Sequence, residues 1–205
     1  MKKIILFFIL IISALSLFSQ EKIDAQRPTQ SESYSIIDKY IFQAENGVTF
    51  SSDTATYSSF LRYSVANVIE LRASTDYGSR LLTPGIKCVL LRQGDNRPGI
   101  SLLASFDMKG NVTDYRAALS HKLSEQSTVT LNLGKDNDFY GILIFVRSLG
   151  ETGAGFVEAY IKEGYQQYNA GLIVIPHPDV QIDFSTGLID YNDFYLGAGV
   201  SFRVK

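Results

Sequence analysis

The sequence predicts an all-β fold: an antiparallel up-and-down transmembrane barrel of about twelve strands with periplasmic N- and C-termini. Three observations carry this. Apolar residues recur at alternate positions from Tyr40 to the C-terminus, turn chemistry interrupts them regularly, and beyond the N-terminus no apolar run approaches the ~18 residues of a spanning helix. The 205 residues carry 12 Tyr, 13 Phe and no Trp, a load that favours strands.

The N-terminus is read first as processing. Met1-Lys2-Lys3 is a short basic start, the apolar run Ile4 to Phe18 follows, and Ser19-Gln20 supplies small residues for cleavage. That is the layout of a signal peptide over 1–19, cleaved near Ser19/Gln20, with an uncleaved anchor as the alternative. Removing it leaves 17 basic against 21 acidic residues, so the mature chain shows no basic stripe for nucleic acid. A single cysteine, Cys88, excludes an intramolecular disulfide framework, and with only His121 and His177 besides, no metal site or cofactor is expected.

The expected strands follow in order. Tyr40–Phe50 places Tyr40, Phe42, Ala44, Val48 and Phe50 on one face, with Gln43, Glu45, Gly47 and Thr49 on the other. Phe60–Val65 opposes Leu61, Tyr63 and Val65 to Arg62 and Ser64, and Val68–Ala73 opposes Ile69 and Leu71 to Glu70 and Arg72. Strands then run near Leu82–Arg92, Gly99–Asp107, Asp114–Leu123, Ser127–Lys135, Tyr140–Ser148, Ala154–Lys162, Tyr168–Ile175, Val180–Gly187 and Asp193–Val204. The face assignment of 140–148 stays ambiguous because Ile142, Leu143, Ile144 and Phe145 put apolar residues on both faces, and that of 82–92 is ambiguous too. Short connectors such as Lys109-Gly110-Asn111 and Asp136-Asn137-Asp138 imply antiparallel neighbours, since parallel pairing needs long crossovers. Three regions result: the leader 1–19, a periplasmic or lumen-folded segment 20–39, and a barrel domain 40–205.

A soluble periplasmic β-sandwich binding an apolar ligand would alternate in the same way. Strand length, an even count and aromatics near strand ends favour the barrel. The expected girdle comprises Tyr40, Phe50, Tyr57, Tyr63, Tyr77, Phe106, Tyr140, Tyr160, Tyr165, Tyr168, Phe194 and Phe202. The last strand, Phe194 to Val204, resembles the C-terminal strand by which such barrels are recognised for assembly, although Lys205 stands where many end in an aromatic. Even parity puts short turns on the periplasmic side and the connections near Asp53, Gly78, Gly110, Asp136, Gly164 and Asp190 outside, so any plug must come from 21–39.

Several ordered motifs resemble one barrel family. Arg27-Pro-Thr-Gln-Ser-Glu-Ser33 before Phe42-Gln-Ala-Glu45, Leu61-Arg-Tyr63 with Ile69-Glu-Leu-Arg72, Leu119-Ser-His-Lys-Leu-Ser-Glu125 and Leu196-Gly-Ala-Gly-Val-Ser-Phe-Arg203 appear in the order found there. The family is that of outer-membrane transporter-like barrels labelled as a component of a MetA pathway of phenol degradation. Its Asp after Arg-Pro is Thr29 here, and its Thr-Glu-Ser is Ser31-Glu32-Ser33. The resemblance implies an outer-membrane channel or transporter-like protein; the phenol label does not transfer.

The candidate lumen lining is Gln43, Glu45, Arg62, Glu70, Arg72, Arg116, Gln181, Asp183 and Arg203, joined by Arg27 and Glu32 from the N-terminal segment. Such a lining would set the selectivity of a passive channel for small solutes, hydrophobic or aromatic ones included. The alternative is a non-conducting structural barrel whose charges satisfy one another, with Arg62, Glu70 and Arg72 as an ion-pair ladder. No catalytic site is expected: Ser120 and His121 are adjacent and face opposite sides of one strand. Expected partners are outer-membrane lipid, the barrel-assembly machinery and a small-molecule solute, with no nucleic acid.

Overall fold

A computed structural model of the chain describes residues 22–52, 54–78 and 81–204. The leader and its cleavage point lie outside them, as do Asp53 and Lys205. Twelve strands form one closed antiparallel barrel: β1 (Phe42–Ser51), β2 (Thr54–Ala66), β3 (Ile69–Asp76), β4 (Leu81–Leu91), β5 (Gly99–Phe106), β6 (Val112–Ser124), β7 (Ser127–Lys135), β8 (Phe139–Ser148), β9 (Gly153–Lys162), β10 (Tyr165–His177), β11 (Val180–Ile189) and β12 (Asp193–Val204). Each strand pairs with its sequence neighbour, and β1 closes on β12 with Phe42 opposite Val204. The sandwich alternative therefore falls. Closure leaves no strand edge unpaired, as a lipid environment demands.

Register fixes the two faces. Phe42, Tyr63, Leu71 and Ile86 share the outside, while Gln43, Arg62, Arg72 and Gly85 share the inside. The outward row of β12 is Phe194, Leu196, Ala198, Val200, Phe202 and Val204, and most of its large side chains are exposed. Apolar groups exposed in this density are unfavourable in water and favourable against hydrocarbon. The polar core lies within, where Gln43, Glu45, Glu70 and Asp183 have no accessible surface.

The structure resolves the two ambiguous strands. In β4, Lys87 and Gly85 face inward and Ile86 and Cys88 outward, with a register shift between Val89 and Leu91. In β8, Ile142, Ile144 and Val146 face the lumen, opposite Asn132, Thr130 and Thr128 of β7, while Leu143 and Phe145 face out. The lumen-facing row of β8 is therefore apolar, contrary to the simple rule of a polar interior, although polar residues of β7 and β9 flank it. β2 begins at Thr54, earlier than expected: Ala55 and Tyr57 face out and Thr56 and Ser58 face in, an alternation too weakly apolar to mark the strand.

One part of the aromatic girdle is corrected. Tyr140, Tyr160 and Tyr165 point inward: the Tyr140 and Tyr160 rings stack with centroids 5.4 Å apart, and Tyr165 meets Tyr160 edge-on at 5.5 Å. Tyr140 is buried, its ring filling the space left by Gly134, where an added Cβ would lie 2.2 Å from it. Position near a strand end does not reveal which face a tyrosine takes. Tyr40 precedes β1, exposed and with a φ of 66°.

Candidate functional site

The lumen is occupied by the chain's own N-terminal segment. It starts at the barrel end where β1 begins and β12 finishes, the terminal end, with the Ile23 amide donating to the Pro178 carbonyl at 2.7 Å. It turns at Gln26–Thr29, where the Thr29 amide and hydroxyl both donate to the Gln26 carbonyl (3.2 and 2.8 Å). It then returns, and the Tyr40 amide reaches the Ser64 carbonyl at 2.7 Å. Barrels of about eight strands are filled by their own side chains and those of 16–18 hold an aqueous channel. Twelve leaves room for a chain segment such as this one.

The barrel wall has already committed its backbone hydrogen bonds to neighbouring strands, so side chains must satisfy the segment. Carboxylates accept paired amides. Glu45 takes the N–H groups of Gln26 and Arg27, both at 2.9 Å, and Glu158 takes those of Gln30 and Ser31 at 3.0 and 2.8 Å. Asn132 does both tasks at Glu32, accepting its N–H at 2.6 Å and donating to its carbonyl at 2.8 Å. Arg62 and Gln43 donate to the Asp24 carbonyl, Gln181 to that of Arg27, and Arg116 to that of Gln30. Ser120 accepts the Tyr34 amide at 2.9 Å, and Glu70 accepts that of Ile37 at 2.9 Å.

A ladder of buried charge runs beside these contacts. Arg62 lies 3.0 Å from Glu70 and 3.3 Å from Glu45; Arg72 lies 2.6 Å from both Glu70 and Glu32; Lys87 lies 3.2 Å from the other Glu32 oxygen. Apart from Arg72–Glu70 within β3, each rung joins residues on different strands or on the segment, so the ladder ties the segment to the β1–β4 wall. Burial alone would raise the Glu32 carboxyl, but Arg72 and then Lys87 hold it well below the usual carboxylate range. The Glu32 charge is therefore a fixed part of the lumen at neutral pH.

Arg27 is seated differently. Its guanidinium reaches Asp183 at 3.3 Å and the Ala198 carbonyl at 3.1 Å. It enters a notch formed by Gly47 and Gly199, which face each other across β1 and β12. A Cβ on Gly47 would lie 1.9 Å from the guanidinium carbon, and one on Gly199 would lie 2.3 Å from Nε. Only glycine leaves this space for an arginine.

The turn separates two cavities. One, of about 270 Å³, lies towards the opposite, loop end of the barrel beside Ser74, Thr83, Ser105 and Asp114. The other, of about 490 Å³, lies towards the terminal end beside Gln93, Lys122, Thr128 and Ile173. Gln26, Arg27 and Thr29 line both, so the wall between them is the turn itself.

All the candidate residues read from the sequence point inward, but they are not equivalent. Gln43, Glu45, Arg62, Glu70, Arg72, Arg116, Gln181 and Asp183 meet the segment or one another, and Arg27 and Glu32 meet them from its side. Arg203 stands at the terminal rim, bonded to Asp179 at 2.6 Å. Sequence reasoning missed Lys87, Asn132 and Glu158. Asn132 and Glu158 were within reach, since Thr128, Thr130 and Asn132 alternate and Phe156, Glu158 and Tyr160 share a face. Lys87 was hidden in an apolar strand. Ser120 faces the lumen and the adjacent His121 pairs with Val129 on the outer face, so they do not meet.

No protein-family model matches this sequence, and no curated protein matches it. Solved structures do. The chain is similar to KdgM porin with a TM-score of 0.65 at 12% identity, covering 78% of this chain and 98% of that one. A KdgM porin complex with disordered oligogalacturonate matches with a TM-score of 0.64, at 12% identity and with coverage of 78% and 98%. NanC porin matches with a TM-score of 0.53 at 13% identity, covering 78% of this chain and 98% of that one. At these identities the likeness is one of fold, and the fold is that of outer-membrane porins.

Proposed function

We propose that this chain is a bacterial outer-membrane barrel that passes small solutes through its lumen, with segment 22–39 as an internal constriction. The single observation that carries this reading is the thin partition between the two cavities. A turn of four residues, Gln26 to Thr29, separates a loop-side from a terminal-side space. A barrel built only as a scaffold would gain from filling those spaces with side chains, as cavities in a packed interior are destabilising. The apolar exterior supports the membrane location, and the parity of the strands supports periplasmic termini. The ordered motifs from Arg27 to Arg203 support kinship with the family of transporter-like barrels they resemble.

A second reading, the non-conducting barrel, is favoured by the completeness of the charge ladder, whose Arg62, Glu45 and Glu70 have side chains with no exposed surface. Planar-bilayer recordings of the purified, folded chain and of R27A decide between the two. Arg27→Ala removes the contacts to Asp183 and Ala198 and loosens the turn. The channel reading expects small currents from the full chain and larger ones from R27A. Silence from both, with heat-modifiable barrels confirmed on gels, would establish the scaffold reading instead.

A further inference from the structure

The loop-side cavity contains more donor capacity than the constriction uses. Three guanidinium groups line it, those of Arg27, Arg72 and Arg116, against two carboxylates, Glu32 and Asp114. Both carboxylates are already engaged. Glu32 is held through its two oxygens by Arg72 and Lys87, and Asp114 accepts from the Tyr140 hydroxyl and lies 3.7 Å from Arg116.

One of the guanidinium groups is not fully engaged. Arg72 uses Nε on Glu70 and Nη1 on Glu32, leaving its buried Nη2 without a partner among the described residues. Arg27, by contrast, is committed through Nη2 to Asp183 and Ala198, with its Nε turned into the Gly47–Gly199 notch. Buried donors are nearly always satisfied in folded proteins, and guanidinium N–H groups match carboxylate oxygens best. The Arg72 side chain is 2% exposed and is held by two ion pairs, so it is fixed in place before any ligand arrives.

The remaining wall is apolar on one side. Phe60 and Leu103 line the cavity, and the Phe60 ring carries the Arg72 guanidinium at 5.2 Å from its centroid. We infer that the loop-side cavity binds a small organic carboxylate, its head on the Arg72 guanidinium and its apolar body against Phe60 and Leu103. A volume of about 270 Å³ suits a body of single-ring size. The inference rests on the solute-channel reading for the route by which the ligand reaches the cavity, and not for the chemistry of the site.

Calorimetric titration of the folded full chain in detergent tests it, with benzoate as the probe and benzamide and inorganic phosphate as controls. Saturable benzoate binding is expected, with benzamide and phosphate each at least about tenfold weaker, because one lacks the charge and the other the apolar body. Arg72→Met should abolish binding. Since that change breaks a buried ladder and can unfold the barrel, Ser74→Phe and Thr83→Leu serve beside it. Both fill the cavity while leaving every ion pair in place, and both should remove benzoate binding from a folded barrel. No saturable benzoate binding, equal binding of either control, or binding that survives both filling variants would overturn the inference. Benzoate binding without any current would leave the site standing and sink the channel reading; current without benzoate binding would do the reverse.

Discussion

At the scale of single residues, the constriction depends on two glycines and one arginine. Gly47 and Gly199 give Arg27 its seat, and the clash of a Cβ at position 47 is with the far, flexible end of the arginine, not with backbone. Gly47→Ala should therefore expel the guanidinium without moving backbone, leaving the buried Asp183 carboxylate without its arginine at a cost of about 3–5 kcal/mol by denaturant titration, while raising conductance as R27A does. Glu70 follows the same rule. It accepts from Arg62, Arg72 and the Ile37 amide with no surface of its own. Glu70→Ala leaves two buried guanidinium groups short of a partner and should destabilise by about 3–5 kcal/mol, read as a lowered urea midpoint at unchanged slope. The roles of Arg62, Glu70 and Arg72 were legible because a two-residue turn and strict alternation put them side by side. The seat of Arg27 was not, because it joins residues 20 and 172 positions apart through glycines that carry no side-chain signal.

At the scale of elements, alternation revealed the strands wherever one face was polar. It failed in β4, and in β8, whose inward Ile142, Ile144 and Val146 make both faces apolar so that a parity rule has nothing to grip. It also failed in the first half of β2, whose outward row carries only Ala55 and Tyr57 before Ser59. The face assignment of β8 is testable. Leu143→Arg places a charge on the lipid face near the middle of the strand and should cost about 2–4 kcal/mol in vesicle refolding. Arg147, outward near the end of the same strand, shows that charge is accepted there. If Leu143→Arg cost no more than a change at a strand end, the outward face of β8 would be wrong. The segment itself was legible only as polar and aperiodic. Its path inside the barrel follows from long-range contacts between its backbone and wall side chains, to which no local pattern in 22–39 points.

At the scale of the whole molecule, the sequence divides its labour between two surfaces. The outer surface is apolar enough to need lipid, and the inner one is polar enough to need either water or a partner. Here the partner is the chain's own N-terminal segment, which leaves cavities on both sides of a four-residue turn. In cells the protein should fractionate with the outer membrane and show heat-modifiable mobility; recovery in the soluble periplasm would contradict the lipid-facing exterior. The account's central claim is that segment 22–39 is what constricts the lumen. Its most direct test is the single-channel conductance of the full chain against a variant lacking residues 22–39, both confirmed as folded barrels. Removing the segment exposes Glu45, Glu158 and Asp183 to water that can solvate them, so the barrel should persist and conductance should rise at least about tenfold, well beyond the effect of a surface change. Equal conductance from the two would contradict the claim.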